Sequence, residues 1–211
     1  MITIVDYGMG NLQSVQNGFA RMGYDTFVTD EPGEIKKARA IIMPGVGAFG
    51  QAVRNLKEKE LGEAVKKRAR EGVFVLGICL GLQLLLDKSQ EGLDLKGGGL
   101  GLIPGEVIKF QGKLKIPHMG WNQLRPLKSD PLLKGIKEGD YFYFVHSYYA
   151  VPEEDNAVLA SSEYGGEFAA VIKGAPFIYG VQFHPEKSSR AGLKILENFG
   201  ELVYNGSHTG H

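Results

Sequence analysis

An open α/β sheet, mostly parallel, with helices on both faces and antiparallel additions in the C-terminal half, is predicted by three features of the sequence. Apolar runs of strand length alternate with helical patterns through the first half, and that order builds parallel strand pairs joined by helical crossovers. The runs Ala40 to Met43 and Val73 to Ile78 are continuously apolar, as expected of strands buried on both faces. From Glu106 onward strands follow one another with no helix between them, which adds antiparallel pairs.

Taken in order, Ile2 to Val5 is a first strand. In Asp6-Tyr7-Gly8-Met9-Gly10-Asn11 the two glycines open a dinucleotide-binding pattern, but Gln13 stands where its third glycine belongs. The stretch therefore reads as a tight turn, with Asn11 capping a helix from Leu12 to about Met22. Asp25 to Val28 is the second strand, Glu31 to Ala38 a short helix with Pro32 in its first turn, and Ala40 to Met43 the third strand. Helical patterns at Ala52 to Lys57 and Leu61 to Glu71 carry a solvated charged face and lead into the strand Val73 to Ile78, after which Leu80 to Leu86 reads as a helix. Gly97-Gly98-Gly99-Leu100-Gly101 lacks the Lys-Ser or Lys-Thr of a phosphate cradle and reads as a flexible loop. Strands are expected at Glu106 to Phe110, Gln123 to Leu127, Tyr141 to Tyr149, Ala157 to Tyr164, Phe168 to Lys173 and Phe177 to Phe183, and a helix at Ala191 to Val203.

With 211 residues, 43% of them apolar, the chain suits one domain, expected over 1–204, with 205–211 a frayed tail. His208 and His211 have helical metal-ligand spacing, but a frayed terminus cannot hold a site's geometry, and no metal is expected. Lys plus Arg equals Asp plus Glu at 24 each, which leaves no global electrostatic case for nucleic acid or an anionic membrane. A single cysteine excludes an intramolecular disulfide, no basic segment precedes the first strand, and no apolar run approaches the roughly 18 residues that span a bilayer. These features suit a soluble, cytosolic protein.

That single cysteine, Cys79, falls where the apolar strand gives way to the leucine-rich helix, with Gly77 and Gly81 two residues to either side. This is the arrangement of a nucleophile elbow, in which a tight turn lifts a reactive side chain out of the sheet. The helix N-terminus favours a thiolate, and the amide of Leu80 is placed to stabilise negative charge on an attacked carbonyl. The alternative is a small buried apolar side chain, the common state of a free cysteine. After the third strand, Pro44-Gly45-Val46-Gly47-Ala48-Phe49-Gly50 lies on the same rim of a parallel sheet, and glycines around Val46 leave its amide free to serve as a second oxyanion donor. Among five histidines, His184 is best placed as a base: Pro185 holds it extended, so Glu186, at i+2, can orient one ring nitrogen while the other faces Cys79. His118 and His146 lack that arrangement and read as structural or interface histidines.

Taken together, Pro44-Gly45-Val46-Gly47, Gly77-Ile78-Cys79-Leu80-Gly81-Leu82-Gln83 and Gln182-Phe183-His184-Pro185-Glu186 resemble the three active-site blocks of class I, or triad, glutamine amidotransferases, which have a flavodoxin-like sheet. Gly45 to Gly50, Pro117-His118-Met119-Gly120-Trp121-Asn122, Tyr143-Phe144-Val145-His146-Ser147-Tyr148 and His184 to Ser188 resemble more closely the glutaminase subunits of imidazole glycerol phosphate synthases of histidine biosynthesis. The likeness runs from Met1 to about Tyr204. It implies that Cys79 attacks the side-chain amide of L-glutamine, that His184 passes the proton to the leaving ammonia, and that Glu186 orients His184. It further implies that Val46 and Leu80, with Gly47, form the oxyanion hole, and that Gly45, Gln83, Glu91, Ser147 and Tyr148 hold the glutamine. No cofactor is called for. The implied partner is a cyclase subunit with a (β/α)8 barrel, in a heterodimer. That subunit uses the ammonia to turn a phosphoribulosyl intermediate (PRFAR) into imidazole glycerol phosphate and AICAR. His118, Trp121, Asn122, Tyr143 and Lys187 match positions at that interface.

A glutaminase subunit of another synthase, such as anthranilate synthase, would keep the Cys, His and Glu blocks but lack Pro-His-Met-Gly-Trp. A free-standing cysteine hydrolase of γ-glutamyl bonds would turn over alone, and a flavodoxin-like binding module would leave Cys79 inert. In the leading reading, a glutaminase that ran without its partner would waste glutamine and leak ammonia, so its site is expected to rest incomplete. The Gly45-Val46 peptide, flanked by glycine, is the expected resting gate, its carbonyl turned inward until the partner's substrate binds.

Overall fold

The computed structural model describes residues 1–92, 98–174 and 176–206. Strands and helices alternate through the first part: β1 (Ile2–Val5), α1 (Leu12–Arg21), β2 (Thr26–Thr29), α2 (Pro32–Ile35), β3 (Ala40–Met43), α3 (Phe49–Glu58), α4 (Leu61–Arg70), β4 (Phe74–Ile78) and α5 (Leu80–Leu84). Strands then dominate: β5 (Leu86–Ser89), β6 (Ile103–Lys109), β7 (His118–Gln123), β8 (Arg125–Pro126), β9 (Tyr141–His146), β10 (Tyr148–Pro152), β11 (Val158–Glu163), β12 (Glu167–Lys173) and β13 (Ile178–Val181), before the closing helix α6 (Ser189–Gly206).

Among the described residues the central sheet has eight strands in the order β2-β1-β3-β4-β13-β12-β11-β8. Pairing is parallel from β2 through β13 and antiparallel from there to β8, so the parallel core and its antiparallel additions both match the sequence prediction. Successive side chains of a strand face opposite sides, and β3 divides accordingly: Ala40 and Ile42 enter one core, Ile41 and Met43 the other. Helices α1 and α6 cover the first face through Val15, Phe19, Ile195 and Phe199, while α2, α3 and α4 cover the second through Ile35, Leu56 and Val65. Asn11 caps α1 as expected, its side chain accepting from the Ser14 amide at 3.2 Å.

Several boundaries differ from expectation for physical reasons. The helix after Cys79 stops at Leu84 because the carbonyls of Leu84, Leu85 and Leu86 accept the amides of Leu100, Leu102 and Gly101, and the chain then enters β5. Residues Gly98 to Gly101 are thus tied to the end of α5, and Gly97 lies outside the described residues. The run expected as one strand over Tyr141 to Tyr149 breaks at Ser147, where the chain leaves the β7-β9 pair and joins the β10-β6-β5 sheet. Gln123 to Leu127 likewise divides at buried Leu124 into β7 and β8. The last helix runs through Gly206, past the boundary expected at Tyr204, while the remaining tail with His208 and His211 lies outside the described residues.

Candidate active site

Three neighbouring parallel strands, β3, β4 and β13, end at one rim, in register Met43 to Gly77 and Val181 to Ile78. The three sequence blocks follow immediately after those ends, which brings them together at the carboxyl edge where open α/β sheets place their sites.

Cys79 leaves β4 with φ 54° and ψ −106°, a left-handed conformation disfavoured for a side-chain-bearing residue and expected of a nucleophile elbow. The turn closes only because its flanks are glycine: a Cβ on Gly81 would stand 1.6 Å from the Met43 carbonyl oxygen, and one on Gly77 would stand 2.6 Å from the Gly81 backbone. The Cys79 amide donates to Val181 O at 2.8 Å, tying the elbow to β13. Around the buried sulfur, Gln182 Nε2 donates to Sγ at 3.7 Å and the Val145 carbonyl oxygen lies 3.8 Å away.

His184 donates its backbone amide to Tyr143 O at 2.9 Å, and its carbonyl accepts from Ser188 Oγ at 2.6 Å, so its backbone is held from both sides. Its Nδ1 lies 2.8 Å from Glu186 Oε1, with side chains only 3% and 2% exposed. Nε2 is buried and makes no hydrogen bond within normal geometry, although the Cys79 thiol is near enough to act on the ring. Burial alone pushes the imidazole down. Cys79 and then Glu186 outweigh it and raise the pKa to about 10, which favours the charged ring. A buried nitrogen without a partner beside a nucleophile is poised to give or take a proton.

At the end of β3 the Gly45 carbonyl accepts from the Leu80 amide at a long 3.4 Å, and Val46 is 40% exposed. The Leu80 amide therefore points to a backbone carbonyl, and the Gly45-Val46 peptide has its oxygen turned inward. Gly47 has φ 105°. Gln83 Nε2 donates to Tyr148 O at 2.9 Å and to Gln182 Oε1 at 3.4 Å. Glu91 Oε2 accepts from the Phe49 amide at 2.8 Å, capping α3, whose preceding residue offers no side-chain cap. Burial, and then the charge of Glu91, raises the Tyr148 phenol above its usual range, which puts the two side chains in electrostatic reach. Ser147 O accepts from Phe110 N at the change of sheet. Gly45, Gln83, Glu91, Ser147 and Tyr148 thus come from the loop after β3, helix α5, the segment after β5 and the β9-β10 junction.

The residues matched to a partner interface divide. Trp121 is 53% exposed and stands edge to face with Tyr143, its cross-strand neighbour, at 6.2 Å; Lys187 is also exposed and Asn122 half-buried. His118 is buried behind them. Reading the sequence gave no role to Tyr7, Val145 or Gln182. Tyr7 is buried and donates its hydroxyl to Pro44 O beneath the Gly45 turn, and burial, followed by the charge of Cys79, raises its phenol far above the ordinary range. A Cβ on Gly45 would stand 2.0 Å from that hydroxyl. Gln182 carried a readable signal, since it lies two residues before His184 in the same extended segment and so faces the same side. Tyr7 and Val145 carried none beyond their position on the rim.

A family model described as Glutamine amidotransferase class-I matches residues 3–202. The chain belongs to this family. Among curated relatives of this amidotransferase, the protein of Moorella thermoacetica called imidazole glycerol phosphate synthase subunit HisH is 54% identical over 210 residues, covering 100% of this chain and 99% of its own. The protein of that name from Caldanaerobacter subterraneus subsp. tengcongensis is 50% identical over 96% of this chain and 98% of its own. Among solved structures, one of PurLQS from Thermotoga maritima superposes with a TM-score of 0.74 at 19% identity, covering 96% of this chain and 98% of that one. A crystal structure described as glutamine amidotransferase gives 0.71 at 19%, covering 95% and 100%. At such identities the likeness speaks for the fold. Among the described residues no helix is long and apolar enough to cross a membrane.

Proposed function

We propose that this amidotransferase is the glutaminase subunit of an imidazole glycerol phosphate synthase, hydrolysing L-glutamine and handing the ammonia to a cyclase subunit in histidine biosynthesis. The observation that carries the chemistry is the convergence of Cys79, His184 and Glu186 at the ends of two adjacent parallel strands; full-length relatives of that name support the pathway.

In this reading the Cys79 thiolate attacks the side-chain carbonyl carbon of glutamine, and the carbonyl electron pair moves to oxygen. As the tetrahedral species collapses, the carbon-nitrogen bond breaks and the departing nitrogen takes the Nε2 proton of His184, leaving as ammonia. A thioester remains on Cys79. Water then attacks it, giving its proton to His184 Nε2, and collapse of the second tetrahedral species releases glutamate and restores the thiolate and imidazolium. Glu186 keeps the ring oriented and its charge compensated. The α-ammonium of glutamine pairs with Glu91, while Gln83, Ser147 and Tyr148 complete the pocket. The partner is a (β/α)8-barrel cyclase docked over Trp121, Asn122, Tyr143 and Lys187, and the pair works in the cytoplasm.

The oxyanion is held by the amides of Leu80 and Val46, beside Gly47. With the Gly45 carbonyl on the Leu80 amide, this is the resting arrangement: turning one peptide would replace that oxygen with the Val46 N–H. An absent oxyanion donor lowers the rate about 10²- to 10³-fold, which suits an enzyme that stays quiet until its partner's ligand binds. The test of the division of labour is the complex carrying Cys79→Ala. Synthesis from glutamine is expected to vanish while synthesis from added ammonium continues; loss of both would overturn the reading.

A further inference from the structure

Two buried histidines take no part in the proton transfers just described, yet they stand between the partner-facing strand and the glutamine pocket. His118, on β7, pairs across the sheet with His146, on β9, and its Nδ1 lies 3.0 Å from His146 Nε2. His146 Nδ1 lies 2.8 Å from Tyr148 O, and His118 Nε2 lies 3.2 Å from Asn122 Nδ2.

The direction of every bond can be fixed from the ends. Asn122 Nδ2 also donates to Glu163 O at 2.8 Å, and its Oδ1 accepts from the Gln123 amide at 2.8 Å, so the amide cannot be turned over. Its second hydrogen therefore goes to His118 Nε2, which must be unprotonated. The proton of neutral His118 is then on Nδ1 and is donated to His146 Nε2, which must in turn be bare. His146 carries its proton on Nδ1 and donates it to the Tyr148 carbonyl. A carbonyl can only accept, so the far end demands the same tautomer independently. Burial depresses both rings, His118 to about 4 and His146 to about 3, in agreement with two neutral imidazoles. The packing is aromatic: His118 is stacked on Phe144 and Tyr164, with centroids 5.1 and 4.1 Å away.

The last acceptor is shared. Tyr148 O also receives Gln83 Nε2, the second hydrogen of that amide goes to Gln182 Oε1, and Gln182 Nε2 reaches Cys79 Sγ. With both lone pairs of Tyr148 O occupied, the orientations of Gln83 and Gln182 are fixed in sequence. We propose that Asn122, His118 and His146 form a positioning relay of fixed tautomers that sets the Tyr148 carbonyl and, through Gln83 and Gln182, the surroundings of the Cys79 thiol during glutamine hydrolysis. The proposal rests on the glutaminase reading for its functional part, whereas the tautomers do not depend on it.

The experiment has two arms. Long-range nitrogen-proton NMR on the full chain, labelled at histidine, is expected to find His118 and His146 both neutral and both protonated on Nδ1 at pH 7; either ring protonated on Nε2 or charged overturns the relay. Asn122→Ala, at a half-buried position, removes the donor to His118 Nε2 and is expected to shift that nitrogen's resonance while Nδ1 keeps its proton, since the Tyr148 carbonyl still fixes the far end; a switch to Nε2 protonation, or no shift at Nε2, counts against the proposal. In the complex with the cyclase subunit, His146→Asn keeps a donor at the Nδ1 position and His146→Gln does not. Misplacement of this kind costs up to about 10²-fold, so the Gln variant should lose about 10- to 10²-fold in glutamine-dependent kcat/KM, the Asn variant should recover most of it, and ammonium-dependent synthesis should hold. Equal losses in the two variants would assign the pair to stability alone. An inactive wild-type complex with the expected tautomers would strike the glutaminase reading and the relay's role in it, and leave the hydrogen-bond order standing.

Discussion

Cys79 sits at φ 54° and ψ −106°, and backbone strain at such a position costs about 1–3 kcal/mol. Glycine tolerates the conformation and alanine does not. Cys79→Gly is therefore expected to be more stable than Cys79→Ala by about 1 kcal/mol in urea unfolding, with both expected to be inactive with glutamine; the reverse order would mean that the elbow relaxes when the thiol is removed. His184 supplies a second residue-scale test. Its pKa is raised in the folded state from an ordinary 6.5 to about 10, so the stability it contributes is full below pH 6.5 and is lost as pH rises through about 10. Comparing the wild type with His184→Gln isolates this from other titrating groups: the difference in unfolding free energy should shrink between pH 7 and pH 10. Imidazole nitrogen shifts of His184 that titrate near 6.5 would contradict the charge assignment.

At the scale of elements, the β3-β4-β13 rim was legible because its strands are apolar along their whole length and its turns carry glycines at fixed offsets from Cys79 and Val46. Gly81→Ala tests the tightness of that rim: with a Cβ placed 1.6 Å from Met43 O, β3 and α5 must separate, and overpacking of about 1–3 kcal/mol or failure to fold is expected in urea unfolding. Strand β7 escaped notice because its alternation is inverted. His118 points inward, while Met119 and Trp121 point out at 63% and 53% exposure, the reverse of the rule that places apolar residues inside. Strand β5, Leu-Asp-Lys-Ser, has no strand-like composition and is held by its pairing with β6. Glu91 was readable as a carboxylate but not as the cap of α3, since that contact joins residues far apart in sequence. That cap and the proposed contact with glutamine separate by substitution. Glu91→Gln keeps an acceptor for the Phe49 amide and should raise KM for glutamine with little change in stability. Glu91→Ala should also lose about 1 kcal/mol in unfolding. Equal stability of the two variants would remove the capping role.

Across the whole molecule, strand β9 joins the outer surface to the reaction centre. Tyr143 faces outward beside Trp121, yet its carbonyl accepts the His184 amide, and two residues on the Val145 carbonyl lies against Cys79 Sγ. A partner seated on the β7-β9 face thus presses on the same strand that holds His184 and flanks Cys79. Trp121, half in solvent and edge to face with Tyr143, can bury the rest of its ring in that partner. Buried tryptophans are the side chains whose removal most often costs 2 kcal/mol or more at an interface, equivalent to about 30-fold in affinity. Trp121→Ala is therefore expected to weaken association with the cyclase subunit by about that factor in a binding titration. Its loss of solvent-exposed surface should leave the unfolding of the isolated chain nearly unchanged. Because the same strand carries Tyr143 and Val145, the variant should also respond less to the cyclase ligand at saturating partner, when every chain is bound. Full stimulation at saturation with weakened binding would confine Trp121 to docking, and unchanged binding would move the interface elsewhere on the molecule.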